Sequence, residues 1–397
     1  MKKIVLLFSL FFTTASFAQN VKLVVPDGHA KHVEQCYVSA DGKYLATVAY
    51  STVIVWDIQS EKKLYELNVP ISSVQLKDYN IQLSKDLKNV LLTCDNGVYY
   101  YSLQDGQKIF EEGGGSNGAM LSADEQYVYN MDYNSIELLD AQSGSSVRRF
   151  EKIMDGLEYG HGSKFFENTE KNELVVITEL GWAVIDLTTG NTKIKKKVSE
   201  NGNFSGYTYD QKSGTIIGAG DDGLRIYNAY TGVLLKSKKF TNSIFNICLT
   251  NDRQLAVIGL NYKAQLYTTE LYAFPDLTIA KSTSQKGTEV PESIFYGNVC
   301  STIPGTDKIV FNNNTDLQFY NTKDAAITKA FNNKVTDFKK FYYFSGINQH
   351  PLPDSVFALS TEDLGTRVFN TETFRPESFS PGVEWPIWSP NGKLIAG

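Results

Sequence analysis

Residues 28–67 read GHAKHVEQCYVSADGKYLATVAYSTVIVWDIQSEKKLYEL. The stretch holds three short runs with period-two alternation, 33–38, 43–47 and 53–57, followed by a fourth, outer run at 64–67. A period of two is the pattern of strands. Ser39-Ala40-Asp41-Gly42 supplies a polar hairpin between the first two runs, and a second tight turn joins the next two. The result is a four-stranded antiparallel sheet with apolar residues on both faces. One such sheet cannot cover both its own faces, so it requires neighbours of the same kind.

Those neighbours are visible as a repeat. The end of the third run, where large apolar residues meet a turn, recurs as Val55-Trp56-Asp57, Tyr100-Tyr101-Ser102, Leu138-Leu139-Asp140, Val184-Ile185-Asp186, Ile226-Tyr227-Asn228, Ala273-Phe274-Pro275, Phe319-Tyr320-Asn321 and Val368-Phe369-Asn370. Successive turn residues are spaced by 45, 38, 46, 42, 47, 46 and 49. The mean, near 44.7, is the length of a propeller blade. A second landmark, the turn after the first strand, keeps the same phase as Ser39-Ala40-Asp41-Gly42, Ser84-Lys85-Asp86, Ser122-Ala123-Asp124, Thr250-Asn251-Asp252 and Ser389-Pro390-Asn391-Gly392. The expected fold is an all-β β-propeller of four-stranded antiparallel blades, seven or eight in number, with the repeat running on into a further unit.

With its GH dipeptide at Gly28-His29 and WD dipeptide at Trp56-Asp57, the segment 28–67 resembles one repeat of the WD-repeat family. The resemblance implies a protein-interaction propeller, in which the GH histidine joins a hydrogen-bonded set with a turn Asp, a strand hydroxyl and the Trp. Here His29 and Trp56 are present, but the second turn, Val48-Ala49-Tyr50-Ser51-Thr52, has no Asp. Later repeats lack both dipeptides and keep only the architecture. His29, Asp41, Trp56, Asp57, Asp140, Asp186, Asn228, Asn321 and Asn370 are therefore assigned as structural positions of the repeat: a short Asp or Asn side chain accepts from backbone N–H groups two or three residues on.

The N-terminus has a different character. Met1-Lys2-Lys3 precedes an apolar run over 4–12, and Ala18 closes a small-residue cleavage pattern, which reads as a secretory signal peptide over 1–18. The expected organisation is that leader, a propeller over 19–380, and the opening of a further blade, or a closing half-blade, over 381–397. Either the half-blade pairs with an extra strand near 21–26, or the polypeptide continues; the second is favoured because a blade cut after two strands exposes an edge. The apolar run is about half of the ~20 residues a bilayer span needs, so no integral membrane segment is expected. The chain is placed in the periplasm or outside the cell.

Net charge is −6, which argues against nucleic acid as a partner. Basic clusters at Lys62-Lys63, Arg148-Arg149, Lys193 with Lys195-Lys196-Lys197, and Lys236 with Lys238-Lys239 fall on the expected outermost strands, where Lys discourages edge pairing. Four cysteines, Cys36, Cys94, Cys248 and Cys300, lie in apolar runs without a CxxC spacing; an oxidising destination permits disulfides, but the favoured reading is buried free thiols. The four histidines, 29, 32, 161 and 350, show no HxH or HExxH spacing; His29 with His32 could ligate a metal, but a turn histidine packing the blade edge is the favoured reading. The adjacent Asp221 and Asp222 read as turn formers. No catalytic, metal or cofactor residue is assigned, and no cofactor is expected.

Longer excursions at 261–269, 282–291 and 346–354 are expected to be loops and candidate binding elements. The functional expectation is a non-catalytic exported scaffold that binds a protein or peptide through its loops and channel mouth. The alternatives are a propeller hydrolase or lyase with channel carboxylates, and the sensory front of a longer protein with a C-terminal catalytic domain.

Overall fold

A computed structural model describes residues 33, 35–49, 52–69, 80–94, 97–113, 116–132, 134–157, 163–198, 203–220, 223–240, 243–261, 266–286, 300–312 and 317–329, and six short strand segments between 344 and 396. The expected leader and His29 lie outside these residues. Among the described residues there is no helix.

Blade 1 takes its innermost strand from Gln35–Val38, followed by Tyr44–Ala49, Thr52–Asp57 and the outermost Lys62–Asn68, each antiparallel to the next. The same order repeats over 80–113, 119–150, 164–197, 206–238, 243–286 and 300–329, which makes seven blades among the described residues. Alternation along the two middle strands of blade 1 sends Leu45, Ile54 and Trp56 to one face, and Ala46, Val48, Val53 and Val55 to the other.

Each face is covered by a neighbour. Val48 and Val55 share a buried cluster with Ile81 and Val90 of blade 2. Leu91 and Tyr100 of blade 2 meet Leu121 and Leu139 of blade 3. Met131 and Ile136 meet Leu174 and Ile185 of blade 4. Ile177 and Trp182 meet Tyr207 and Tyr227 of blade 5. Ile217 and Ile226 meet Ile247 and Tyr272 of blade 6, and Ala256 and Leu271 meet Ile309 and Tyr320 of blade 7. Val310 and Phe319 of blade 7 then share a cluster with Leu45 and Trp56 of blade 1. That last contact closes a seven-bladed β-propeller.

An eighth four-stranded sheet, 344–380, follows in sequence and ends its third strand at Asn370. The short strands Ile387–Trp388 and Ile395–Ala396 pair with each other.

The third-strand landmark has a structural basis. A register shift in the pairing of third and outermost strands falls just before Trp56, Tyr101, Leu139, Ile185, Tyr227 and Tyr272, and before Phe369 of the eighth sheet. In blade 6 the sequence landmark is displaced by two residues: the third strand ends at Ala273, not at Pro275. Tyr272 and Phe274 both satisfy the apolar pattern, but Tyr272 occupies the bulge and is the fully buried one.

The turn that follows is also shared. The N–H four residues on donates to the strand-end carbonyl, from Gly106 to Ser102, Gly144 to Asp140, Gly190 to Asp186, Gly232 to Asn228, Leu277 to Ala273 and Ala325 to Asn321, at 2.7–3.0 Å. The donors have φ between 57° and 78°, and Glu61 holds the same position in blade 1 at 53°. Only four of these seven positions carry the Gly that left-handed backbone favours.

The expected loops at 261–269, 282–291 and 346–354 are largely strand where they are described. Leu266–Ala273 and Thr278–Lys286 extend the outer hairpin of blade 6, pairing Leu266 with Lys286, and Phe344–Gln349 is a strand of the eighth sheet. The β-favouring residues Tyr267, Thr268 and Thr269 support the longer hairpin. The rest of those segments lies outside the described residues.

The shared turn predicts opposite effects for two substitutions. Gly190→Ala, at φ 78° with its new Cβ 2.8 Å from the Phe150 ring, is expected to lower stability, by about 2–4 kcal/mol. Glu61→Gly relieves left-handed strain and is expected to raise stability by up to about 1 kcal/mol, glycine's entropy offsetting the rest. Urea midpoints of the two variants against the parent chain check both signs.

Candidate functional site

The innermost strands of all seven blades line a central cavity of about 470 Å³. Its wall is mixed: the amides of Gln35, Asn80, Gln82 and Asn246, the hydroxyls of Thr208 and Thr302, the ammonium of Lys164, and the thiols of Cys36, Cys248 and Cys300. No carboxylate lies among the described lining residues. Lys164 opens the inner strand of blade 4, and its Nζ donates to the Tyr207 carbonyl of blade 5 at 3.1 Å. It also lies 5.3 Å from the centre of the Tyr207 ring. Burial within the ring pushes the Lys164 pKa down, with Cys300 and Cys248 acting the other way. Burial likewise pushes the Cys36 and Cys300 thiols well up, assisted in each case by neighbouring Cys248. Cys36 and Cys300 keep some exposed surface because the channel is open, while Cys248 and Cys94 are buried. A thiol held protonated is a poor nucleophile and a poor metal ligand.

At one mouth of the channel a groove of about 530 Å³ runs across blades 1 to 3 to Glu167 of blade 4. Tyr37, Leu83 and Met120 give it an apolar floor, and Asp41, Lys85, Glu125 and Glu167 stand around it. Two of these acids tie blades together. Glu125 of blade 3 accepts from the Lys85 N–H of blade 2 at 2.7 Å, and Glu167 of blade 4 accepts from the Ala123 N–H of blade 3 at 2.7 Å. Deeper in the same seam, Gln82 accepts from the Leu121 N–H at 2.9 Å, and Asn80 donates to the Ala119 carbonyl at 3.0 Å. Asp41 accepts from the Ser39 hydroxyl at 2.7 Å and the Lys43 N–H at 3.1 Å. The groove is therefore held by its own hydrogen bonds before any ligand arrives.

The described positions assigned from sequence lie elsewhere in the blades, apart from Asp41. Trp56 is fully buried in the closing seam, and its Nε1 donates to Thr47 Oγ1 at 2.9 Å, while that hydroxyl donates to the Ile54 carbonyl at 3.2 Å. Asp57, Asp140, Asp186, Asn228 and Asn321 end third strands away from the channel. Each accepts a turn N–H, from Ser60, Ser143, Thr189, Thr231 and Lys323 respectively, at 2.6–2.9 Å. The four histidines, Asp221 and Asp222 lie outside the described residues. Of the channel residues only Cys36, Cys248 and Cys300 stand out in the sequence, as thiols in apolar runs, because inner strands as short as Ala119–Leu121 carry too little periodicity to mark a face.

The basic clusters are on the outermost strands, Lys62–Asn68, Ser146–Phe150, Thr192–Lys197 and Leu234–Lys238. Some have a use beyond guarding an edge. Arg148 donates to the Leu187 and Thr188 carbonyls of blade 4 at 3.0 and 3.1 Å, and Lys238 donates to Leu277 of blade 6 at 3.1 Å.

No family model matches the chain, and no curated protein matches it. Among solved structures the chain is similar to the crystal structure of the computationally designed Ika8 protein, at a TM-score of 0.55 and 13% identity, over 87% of this chain and 98% of that one. At that identity the likeness bears on the fold alone.

The turn acids supply a titration test. Hydrogen bonds from Ser39, Ser122 and Ser143 chiefly lower the pKa values of Asp41, Asp124 and Asp140. Asp186 is held at about 2, first by the hydrogen bond from Lys193, 2.8 Å away, and then by the Thr189 N–H. An unfolded Asp titrates near about 3.9, so this contribution to folding is complete above that pH and is lost as pH falls toward the folded value. Carboxyl NMR is expected to place the Asp186 midpoint below those of Asp41 and Asp140, and Lys193→Met to raise it.

Proposed function

We propose that this chain is a non-catalytic, exported interaction scaffold of the WD-repeat type, which binds a protein or peptide at the channel mouth. The observation that carries the reading is the groove over blades 1 to 3, apolar at Tyr37, Leu83 and Met120 and bordered by Asp41, Glu125 and Glu167. A rigid, pre-bonded groove of this kind loses little order on binding, so more of the contact energy appears as affinity. Its three acids and the net charge of −6 suit a partner segment with a basic side chain beside an apolar one. The same acids weigh against hydrolysis by a carboxylate pair, because each already accepts hydrogen bonds that hold a turn or a seam.

Export is proposed on the leader read over 1–18. No helix among the described residues is long and apolar enough to cross a membrane.

A photo-crosslinking residue at Met120 is expected to capture a protein partner in the natural host, while the same residue at Leu235, exposed on the outer strand of blade 5, captures none. Equal capture at both positions would remove the mouth from consideration. Terminal peptide mapping of the protein from that host is expected to begin at Gln19; an intact Met1 would overturn the export reading.

A further inference from the structure

Cys248 lies on the innermost strand of blade 6, Ser243–Leu249, and Cys300 opens the innermost strand of blade 7, Cys300–Thr302. They are 52 residues apart in sequence, yet their sulfurs are 2.7 Å apart across the seam. Two residues after Cys300 and one after Cys248, Thr302 Oγ1 donates to the Leu249 carbonyl at 2.7 Å, so the two strands are pinned beside the thiols. Both sulfurs belong to the wall of the central cavity.

We propose that Cys248 and Cys300 are a dithiol that closes to a disulfide across the blade 6–blade 7 seam when a small disulfide enters the channel. Nothing in the binding reading requires this pair, and the inference stands whichever partner the mouth takes. The geometry favours it because two sulfurs on pinned strands need only a small approach to reach the bond length of about 2.05 Å. Metal binding is the weaker use of the same atoms: among the described residues no three His, Cys, Asp or Glu side chains are grouped to hold an ion.

The order of events follows from access. Cys300 keeps exposed surface, whereas Cys248 is buried. The Cys300 thiolate attacks one sulfur of the small disulfide, forming a mixed disulfide and releasing one small thiolate. Cys248 then attacks the Cys300 sulfur, the mixed bond breaks, and the second small thiolate leaves. Two electrons pass from the protein dithiol to the oxidant, and its two released thiolates take up the two protein thiol protons. Because burial holds the Cys300 thiol protonated, only its small thiolate fraction attacks, and the reaction is expected to quicken as pH rises.

A cross-link there fastens blade 6 to blade 7, one seam from the contact that closes the ring. It shortens the unfolded chain's freedom over a 52-residue loop, which stabilises the folded state.

The test uses the purified full chain, reduced and then treated with cystamine, alkylated, digested and mapped by mass spectrometry. The expected result is a linked pair of peptides carrying Cys248 and Cys300, loss of alkylation at both, unchanged alkylation of Cys94 after unfolding, and a thermal midpoint several degrees higher that reverts on reduction. Cys300→Ser, with its fold checked by circular dichroism, is expected to abolish the link. The proposal is overturned if Cys248 and Cys300 remain fully alkylable under conditions that oxidise an exposed reference thiol. It is equally overturned if cystamine stops at a mixed disulfide, or if Cys36 replaces either partner in the main product.

Discussion

Covering both faces of every sheet is the constraint on which this molecule rests. A blade such as 35–68 sends Leu45, Ile54 and Trp56 one way and Ala46, Val48, Val53 and Val55 the other, so each blade needs two neighbours. A linear stack would leave two outer faces wet. The chain avoids this by returning blade 7 to blade 1, where Trp56 and Leu45 share one buried cluster with Val310 and Phe319. The channel exists only because that seam closes, since its lining runs from Gln35 of blade 1 round to Thr302 of blade 7.

The polar groups follow the same logic. A seam buries backbone groups at its inner edge, and those need partners. Glu125, Glu167 and Gln82 meet N–H groups of adjacent blades, while at the outer edge Arg148 and Lys238 reach carbonyls of the next turn. A charge that looks from sequence like an edge guard is, at these two positions, a clasp between blades. By contrast the side chains of Lys195, Lys196 and Lys197 are exposed on the outer strand of blade 4, and for these the edge-guarding reading is sufficient.

How much of this was legible depends on whether a feature is local. The end of each third strand is local: a large residue at a bulge, then a turn that reads as Asp or Asn with Gly, and seven of the eight landmarks fall on the strand end. Blade 6 slipped by two residues because Tyr272 and Phe274 are equally apolar, and only packing distinguishes them. The left-handed turn position escaped notice where Glu61, Leu277 and Ala325 stand in place of Gly, since the backbone there is imposed by the turn and not advertised by the residue. The channel wall was not legible at all. Gln35, Lys164 and Cys300 become neighbours only through ring closure, and nothing in their own short strands records it.

Blade number belongs to this non-local class, and the eighth sheet shows why. It carries the same landmark, Val368-Phe369-Asn370, and the same register shift before Phe369 as the blades of the ring. By repeat sequence alone it is as good a blade as any other. Yet both faces of blade 7 are already occupied, one by blade 6 and one by blade 1, so the ring has no seam left to receive it. What selects seven is the fit of particular residues at the closing contact. The backbone of Gly42 in the blade 1 turn lies so near the Pro304 carbonyl of blade 7 that a Cβ would stand 2.4 Å from its oxygen. The period specifies what a blade is; the pairing of Gly42 with Pro304 and of Trp56 with Phe319 specifies where the circle ends.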